Sequence, residues 1–136
     1  MIRDIMRDPI FLQEKSEPAT ARDKHIIDDL VDTLRAHQEN CVGLAANMIG
    51  EKKQIIAVMV GPFIVPMVNP IITKKSGEYM TEESCLSLEG TRPCIRFREI
   101  EVDYFDQNFE PQHGVYTDFV AEIIQHEIQH FDGVLI

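Results

Sequence analysis

Phe119-Val120-Ala121-Glu122-Ile123-Ile124-Gln125-His126-Glu127-Ile128-Gln129-His130-Phe131 is the stretch on which the reading of this chain turns. Phe119, Val120, Ile123 and Ile124 give it an apolar face at helical spacing, and Gly133 follows where a C-cap belongs. The spacing predicts a helix over 119–131. His126 and His130 stand at i and i+4, which places them on one face of that helix. Both imidazoles can then reach one metal ion. Glu127, beside the first, can handle the proton of a water on that ion. Without a metal, two imidazoles on an apolar helix would need other hydrogen-bond partners. The pattern points to metal-assisted hydrolysis of an amide or ester.

A hydrolytic metal takes three protein ligands and keeps one position open. Cys41, Cys85, Cys94, His113 and several carboxylates are candidates for the third ligand. Cys85 stands in Glu82-Glu83-Ser84-Cys85-Leu86-Ser87, which carries no helix period and suits the presentation of one side chain. A thiolate with two imidazoles is compatible with Zn²⁺ or Fe²⁺. Spacing alone does not choose Cys85 over Cys94.

Working outward, 136 residues suit a single domain, 1–136, around one core. The formal charge of −10 comes without a basic stripe, so no nucleic-acid surface is expected. Ile55–Val60, the longest apolar stretch, is far too short to span a bilayer, and Met1-Ile2-Arg3-Asp4 opens no signal peptide. A cytoplasmic protein with no membrane partner is expected. Three cysteines make no even disulfide framework.

Residues 1–20 read as an extended arm, and Ile26, Ile27, Leu30, Val31 and Leu34 mark an amphipathic helix over 22–39 with Thr20 as its N-cap. His25 and His37 on that helix lack ligand spacing and are expected to face solvent. Gly43 and Gly50 bracket small and apolar residues, so backbone can approach something closely there. Residues 54–60 read as a strand. Residues 64–73 read as a second one, confined to an edge or split by Pro66 and Pro70. Ser76-Gly77 reads as a turn, 95–104 as one or two strands, 106–108 as a hairpin turn and 115–117 as its return strand. The fold class is α+β: antiparallel strands packed around the C-terminal helix, with one further N-terminal helix.

Three segments in order resemble one family, the peptide deformylases. The family pattern is Gly-x-Gly-apolar-Ala-Ala-x-Gln, then Glu-Gly-Cys-apolar-Ser, then Gln-His-Glu-x-x-His-x-x-Gly. This chain carries Cys41-Val42-Gly43-Leu44-Ala45-Ala46-Asn47-Met48, then Glu83-Ser84-Cys85-Leu86-Ser87, then Gln125 through Gly133. Order and spacing agree from about residue 26 to the end. The resemblance implies a deformylase fold and removal of the formyl group from N-formylmethionyl peptides of newly made proteins. It implies metal ligation by Cys85, His126 and His130, with Fe²⁺ the expected ion and Zn²⁺, Ni²⁺ or Co²⁺ as substitutes. Glu127 would serve as general base and acid, and the Leu86 backbone N–H as an oxyanion donor. Val42, Gly43, Leu44, Glu83, Arg92, Phe119 and Ile123 fall where the family holds its substrate. A nascent chain, with transient ribosome contact, is the implied partner.

The chain departs from the pattern at Met48, which stands where the family has a Gln that donates to the oxyanion. A thioether cannot donate a hydrogen bond. Cys41 and Ser84 replace glycines. Shorter deformylase-like proteins with Asn-Met in the first motif resemble this chain throughout. The alternatives are a deformylase-like protein of low or no activity that acts on another formylated substrate or binds, an endopeptidase built on the helix alone, and a structural metal site with His113 as a fourth ligand. The apolar end, Val134-Leu135-Ile136, is expected either as a short strand on the sheet or as a frayed tail.

Overall fold

In a computed structural model, which describes residues 1–135, the five strands form one antiparallel sheet in sequence order. They are β1 (Gly43–Ala45), β2 (Ile55–Val60), β3 (Phe63–Cys85), β4 (Leu88–Phe105) and β5 (Pro111–Thr117). The helices are α1 (Pro9–Leu12), α2 (Lys24–Ala36) and α3 (Asp118–Gln129). This is the expected α+β class. No described helix is long and apolar enough to cross a membrane.

β2 explains where the core sits. Ile55, Ile56, Ala57 and Val58 are all buried, because both α2 and α3 pack on this strand. α2 contributes Ile26, Ile27, Leu30 and Leu34, the stripe that its spacing predicts. Its first turn is a 3-10 turn, Ala21–Asp23, in which the Asp23 carboxylate accepts from the Thr20 N–H. α3 passes into a 3-10 turn at His130–Asp132 and ends on Gly133 in the left-handed region, φ 73°. His25 is exposed and His37 half-buried, with its Nδ1 on the Thr33 carbonyl.

The long strands correct two expectations. β3 runs unbroken through Pro66 and Pro70 and lies inside the sheet rather than at its edge. It changes partner along its length, pairing with β2 from Phe63 to Val68 and with β4 from Val68 to Cys85. Pro66 therefore sits where only β2 is alongside, and Pro70 sits in the bulge between Val68 and Ile71. A missing N–H is tolerated at both places. Ser76-Gly77 is no turn: Gly77 stays in β3 with φ 78°, facing Arg98 of β4. Residues 81–88 finish β3, make the hairpin turn at Leu86-Ser87 and start β4. The segment 95–104 lies in a strand as expected, within the 18 residues of β4.

The N-terminal arm also holds more structure than expected. Asp8 caps α1 by accepting from the Ile10 N–H, and Leu12 is buried. The arm is tied along its length: Met6 N–H donates to Met48 O, Ser16 N–H to Phe131 O, and Glu17 N–H to Lys52 O. Val134 and Leu135 form no strand; the expectation for Ile136 lies outside the described residues.

Candidate metal centre

Cys85 ends β3, and a register shift between Glu83 and Cys85 turns its side chain toward α3. His126 lies on the last turn of α3, and His130 opens the 3-10 turn that follows. The candidate ligand atoms of Cys85, His126 and His130 all lie within 4.8 Å of one another. Cys85 Sγ is 3.7 Å from His130 Nε2, and the two imidazoles meet edge-on with centroids 5.0 Å apart. All three residues are buried.

Glu83 and Arg96 hold this cluster in place. Glu83 Oε1 accepts from His126 Nδ1 at 2.6 Å and from Arg96 Nη2 at 2.6 Å, while Oε2 accepts from Arg96 Nε at 2.9 Å. A carboxylate on Nδ1 leaves Nε2 as the free nitrogen of His126 and sets the ring orientation. Arg96, 1% exposed, also donates through Nη1 to Gln129 Oε1 at 2.8 Å. Gln125 binds both the N–H and the C=O of Phe97, which fastens α3 to β4. Asn47 Nδ2 donates to His130 O at 3.2 Å.

The electrostatics follow from burial and these bonds. Burial pushes the Glu83 carboxyl up, but His126 and Arg96 outweigh it and hold Glu83 at about 2. Burial pushes His126 down, but the Glu127 charge, the contact with Cys85 and the hydrogen bond and charge of Glu83 raise it to about 10. His130 falls to about 3, through burial and then the His126 charge. Burial lifts Glu127 to about 7. A thiol beside two imidazoles is a donor set that a borderline divalent ion accepts. Glu127 Oε1 is buried, has no described protein partner and lies 3.7 Å from His130 Nε2. The residues present therefore fit a three-ligand metal site with an acid–base group at its open side.

Gly43 brings β1 against this site. A Cβ there would lie 2.6 Å from Ile123 Cγ2 and 2.9 Å from Glu127 Oε2. The close backbone approach expected of the 43–50 segment is thus an approach to α3. Above the cluster lies a cleft of about 560 Å³. Val42, Gly43, Met48, Glu83, Cys85, Leu86, Phe119, Ile123, His126 and Glu127 are among the expected site residues that line it. Phe119 is 60% exposed at its rim, rather than part of a buried helix face. Met48 is buried in the lining, and its Sδ accepts from the Ala45 N–H.

Three of the expected substrate residues are engaged elsewhere in the fold. Leu44 is fully buried in β1 and does not line the cleft. Arg92 faces Glu83 across the β3–β4 ladder and does not line it either. Glu83 reaches the cleft, but its carboxylate is taken up by Arg96 and His126. Of the other ligand candidates, Cys41 bonds to Gly43 O, and its thiol is pushed up to about 12 by burial and by Glu127. Cys94 lies on Thr81 O, pushed up to about 11 by burial. His113 is exposed between Asp103 and Glu101. None of these joins the described cluster. Asp132 is exposed.

Arg96 and Gln129 escaped the sequence reading, and Gln125 and Asn47 stood in its motifs without a role. Gln125 and Gln129 each precede a histidine, and this polar i, i+4 pair on an apolar helix was the available signal. Nothing in the alternation of β4 distinguishes Arg96 from an exposed arginine.

Comparisons with known proteins point to one family. The family model described as polypeptide deformylase matches residues 2–136. A peptide deformylase of Clostridium beijerinckii is 57% identical over the whole of both chains. Peptide deformylase 2 of Clostridium acetobutylicum is 35% identical over 92% of this chain and 85% of its own length. The crystal structure of the Thermotoga maritima peptide deformylase superposes with a TM-score of 0.88 at 28% identity, covering 99% of this chain and 95% of that one. A Met-Ala-Ser-bound class I type b peptide deformylase from Acinetobacter baumannii gives 0.88 at 26% identity, covering 99% and 97%.

Proposed function

This chain belongs to the polypeptide deformylase family, and from that membership we infer that it is a metal-dependent hydrolase removing the formyl group from N-formylmethionyl peptides. The observation that carries the reading to this chain's own residues is the convergence of Cys85, His126 and His130 beside Glu127 at the foot of the cleft.

Cys85, His126 and His130 would hold a divalent cation, Fe²⁺ in our assignment, that supplies Lewis acidity for activating a water. Glu127, lifted to about 7, suits a group that accepts the water proton and returns it to the leaving amine. The formyl C–N bond breaks, releasing formate and a free amino terminus. The Leu86 N–H, on the turn next to Cys85, stabilises the oxyanion that forms on the formyl carbonyl. Glu83 keeps His126 in the ligating tautomer, and Arg96 keeps Glu83 ionised. Gly43 pairs with the extended peptide backbone, while Val42, Phe119 and Ile123 surround the methionine side chain. We assign nascent chains in the cytoplasm as the substrate pool, met with at most a transient ribosome contact. A binding role without turnover is not favoured, because the cluster and its acid–base group are complete.

The test is hydrolysis of a formyl-methionyl tripeptide by anaerobically purified, Fe²⁺-loaded protein. We expect formate release by the native chain, and a faster rate for Met48→Gln if the amide reaches the oxyanion. Cys85→Ser should lose the metal, measured by elemental analysis, while Cys94→Ser should retain it. A metal-loaded native protein that releases no formate would overturn the reading.

A further inference from the structure

The cleft is lined by Glu82, Glu83, Glu89, Glu122 and Glu127, and among the described residues Arg7 is its only lysine or arginine. Arg7 comes from the N-terminal arm, far in sequence from everything else at the site. Its place is set by two bonds. The Met6 N–H donates to Met48 O at 2.7 Å, pinning the arm beside a cleft residue. Arg7 Nη1 donates to Leu86 O at 2.9 Å, on the turn that follows Cys85. Arg92, the arginine expected near this cleft, is not in its lining.

A carbonyl needs only one donor, and a guanidinium carries five. The bond to Leu86 O uses one of them. Arg7 is exposed, and among the described residues it pairs with none of the cleft glutamates. A cation with free donors, the only lysine or arginine in an otherwise acidic lining among the described residues, attracts a carboxylate to its end of the cleft. We propose that Arg7 is a specificity-determining residue: its guanidinium takes a carboxylate of the peptide substrate downstream of the formyl-methionine. The bond to Leu86 O sets the distance between this subsite and the reacting end. The inference rests on the deformylase reading above and names part of its substrate preference.

The test compares formyl-Met-Ala-Ser bearing a free C-terminal carboxylate with the same peptide as its C-terminal amide. Exposed ion pairs are weak, so Arg7→Gln should raise KM for the acid about two- to fivefold at low salt. Because the variant also gives up the bond to Leu86 O, any change in kcat or in the amide's KM should be shared by both peptides, while the additional rise in KM falls on the acid alone and is erased by high salt. Arg7→Lys should restore most of the preference. Equal changes for acid and amide would overturn the proposal and reduce Arg7 to a clamp on the turn; so would no change at all. A native protein that hydrolyses neither peptide would overturn the deformylase reading and the subsite with it. Thermal unfolding of each variant separates loss of fold from loss of preference.

Discussion

Gly43 lies where a single methyl group separates a working site from a displaced one. Its missing Cβ leaves room for Ile123 and for the Glu127 carboxylate, with 2.6 and 2.9 Å to spare for an atom that needs more. Ile123 sits within α3 and cannot retreat without moving the helix, so a Gly43→Ala variant must part β1 from α3 and displace Glu127 in doing so. Misplacing a reacting group by about 1 Å costs on the order of 10²-fold. We expect kcat to fall about 10- to 100-fold in that variant. Its metal content should fall less than its kcat, because the three atoms nearest the added carbon belong to Ile123 and Glu127 and none to Cys85, His126 or His130. Elemental analysis alongside steady-state kinetics checks both halves. This constraint was half legible beforehand: glycine spacing announces a close approach, but the partner lies more than 70 positions away along the chain.

At the scale of elements, Arg96 joins β4 to β3 through Glu83 and to α3 through Gln129. The ion pair is buried on both sides, with side-chain exposures of 1% and 5%. Breaking such a pair leaves a charge with neither water nor partner. Arg96→Leu should therefore destabilise the fold by about 3–5 kcal/mol, read from denaturant unfolding at neutral pH. Glu83→Gln, which keeps the shape but drops the charge, should slacken His126 as well and weaken metal binding. Gly133 shows the same coupling between distant elements. A Cβ there would lie 2.1 Å from Gln13 O, so the end of α3 and the end of α1 occupy adjoining space that only glycine leaves open. Gly133→Ala should lower stability by at least 1–3 kcal/mol, through its positive φ as well as this contact. A shifted unfolding midpoint measures it.

For the whole molecule, the N-terminal arm matters most, since it carries Arg7 to the cleft. Asp29 on α2 anchors the arm's start, accepting from the Met1 ammonium at 3.0 Å and from Arg3 Nε at 2.8 Å. Burial raises the Asp29 carboxyl, but these two cations outweigh it and hold it below its ordinary value. A carboxyl depressed in the folded state binds fewer protons there than in the unfolded chain, so its contribution grows with pH. It is complete above the ordinary value of 3.8 and is lost as pH falls toward the folded one. Hydrogen exchange in residues 1–8, corrected for intrinsic rates, should quicken as pH drops through that window. Asp29→Asn should show the quick exchange at neutral pH. If Arg7 reads the substrate as inferred, that variant should also lose part of the preference for the acidic peptide.

Periodicity in the sequence by itself determined the elements whose side chains carry the pattern. The stripe of α2, the apolar run of β2 and the histidine spacing on α3 are properties of neighbouring residues, so they can be read before any contact is known. The motifs also determined the family, since three of them stand in order. Only the tertiary structure decided that β3 passes unbroken through two prolines, because what excuses them is which strand lies alongside at each point. Only it brought the Cys85 sulfur to the two imidazoles, a choice that spacing had left open between Cys85 and Cys94. It also made Arg96 a buried partner of Glu83, moved Arg92 out of the cleft and put Arg7 into it. A charged side chain reads the same in sequence whether it faces water or a carboxylate, and only the packing of distant segments tells the two apart.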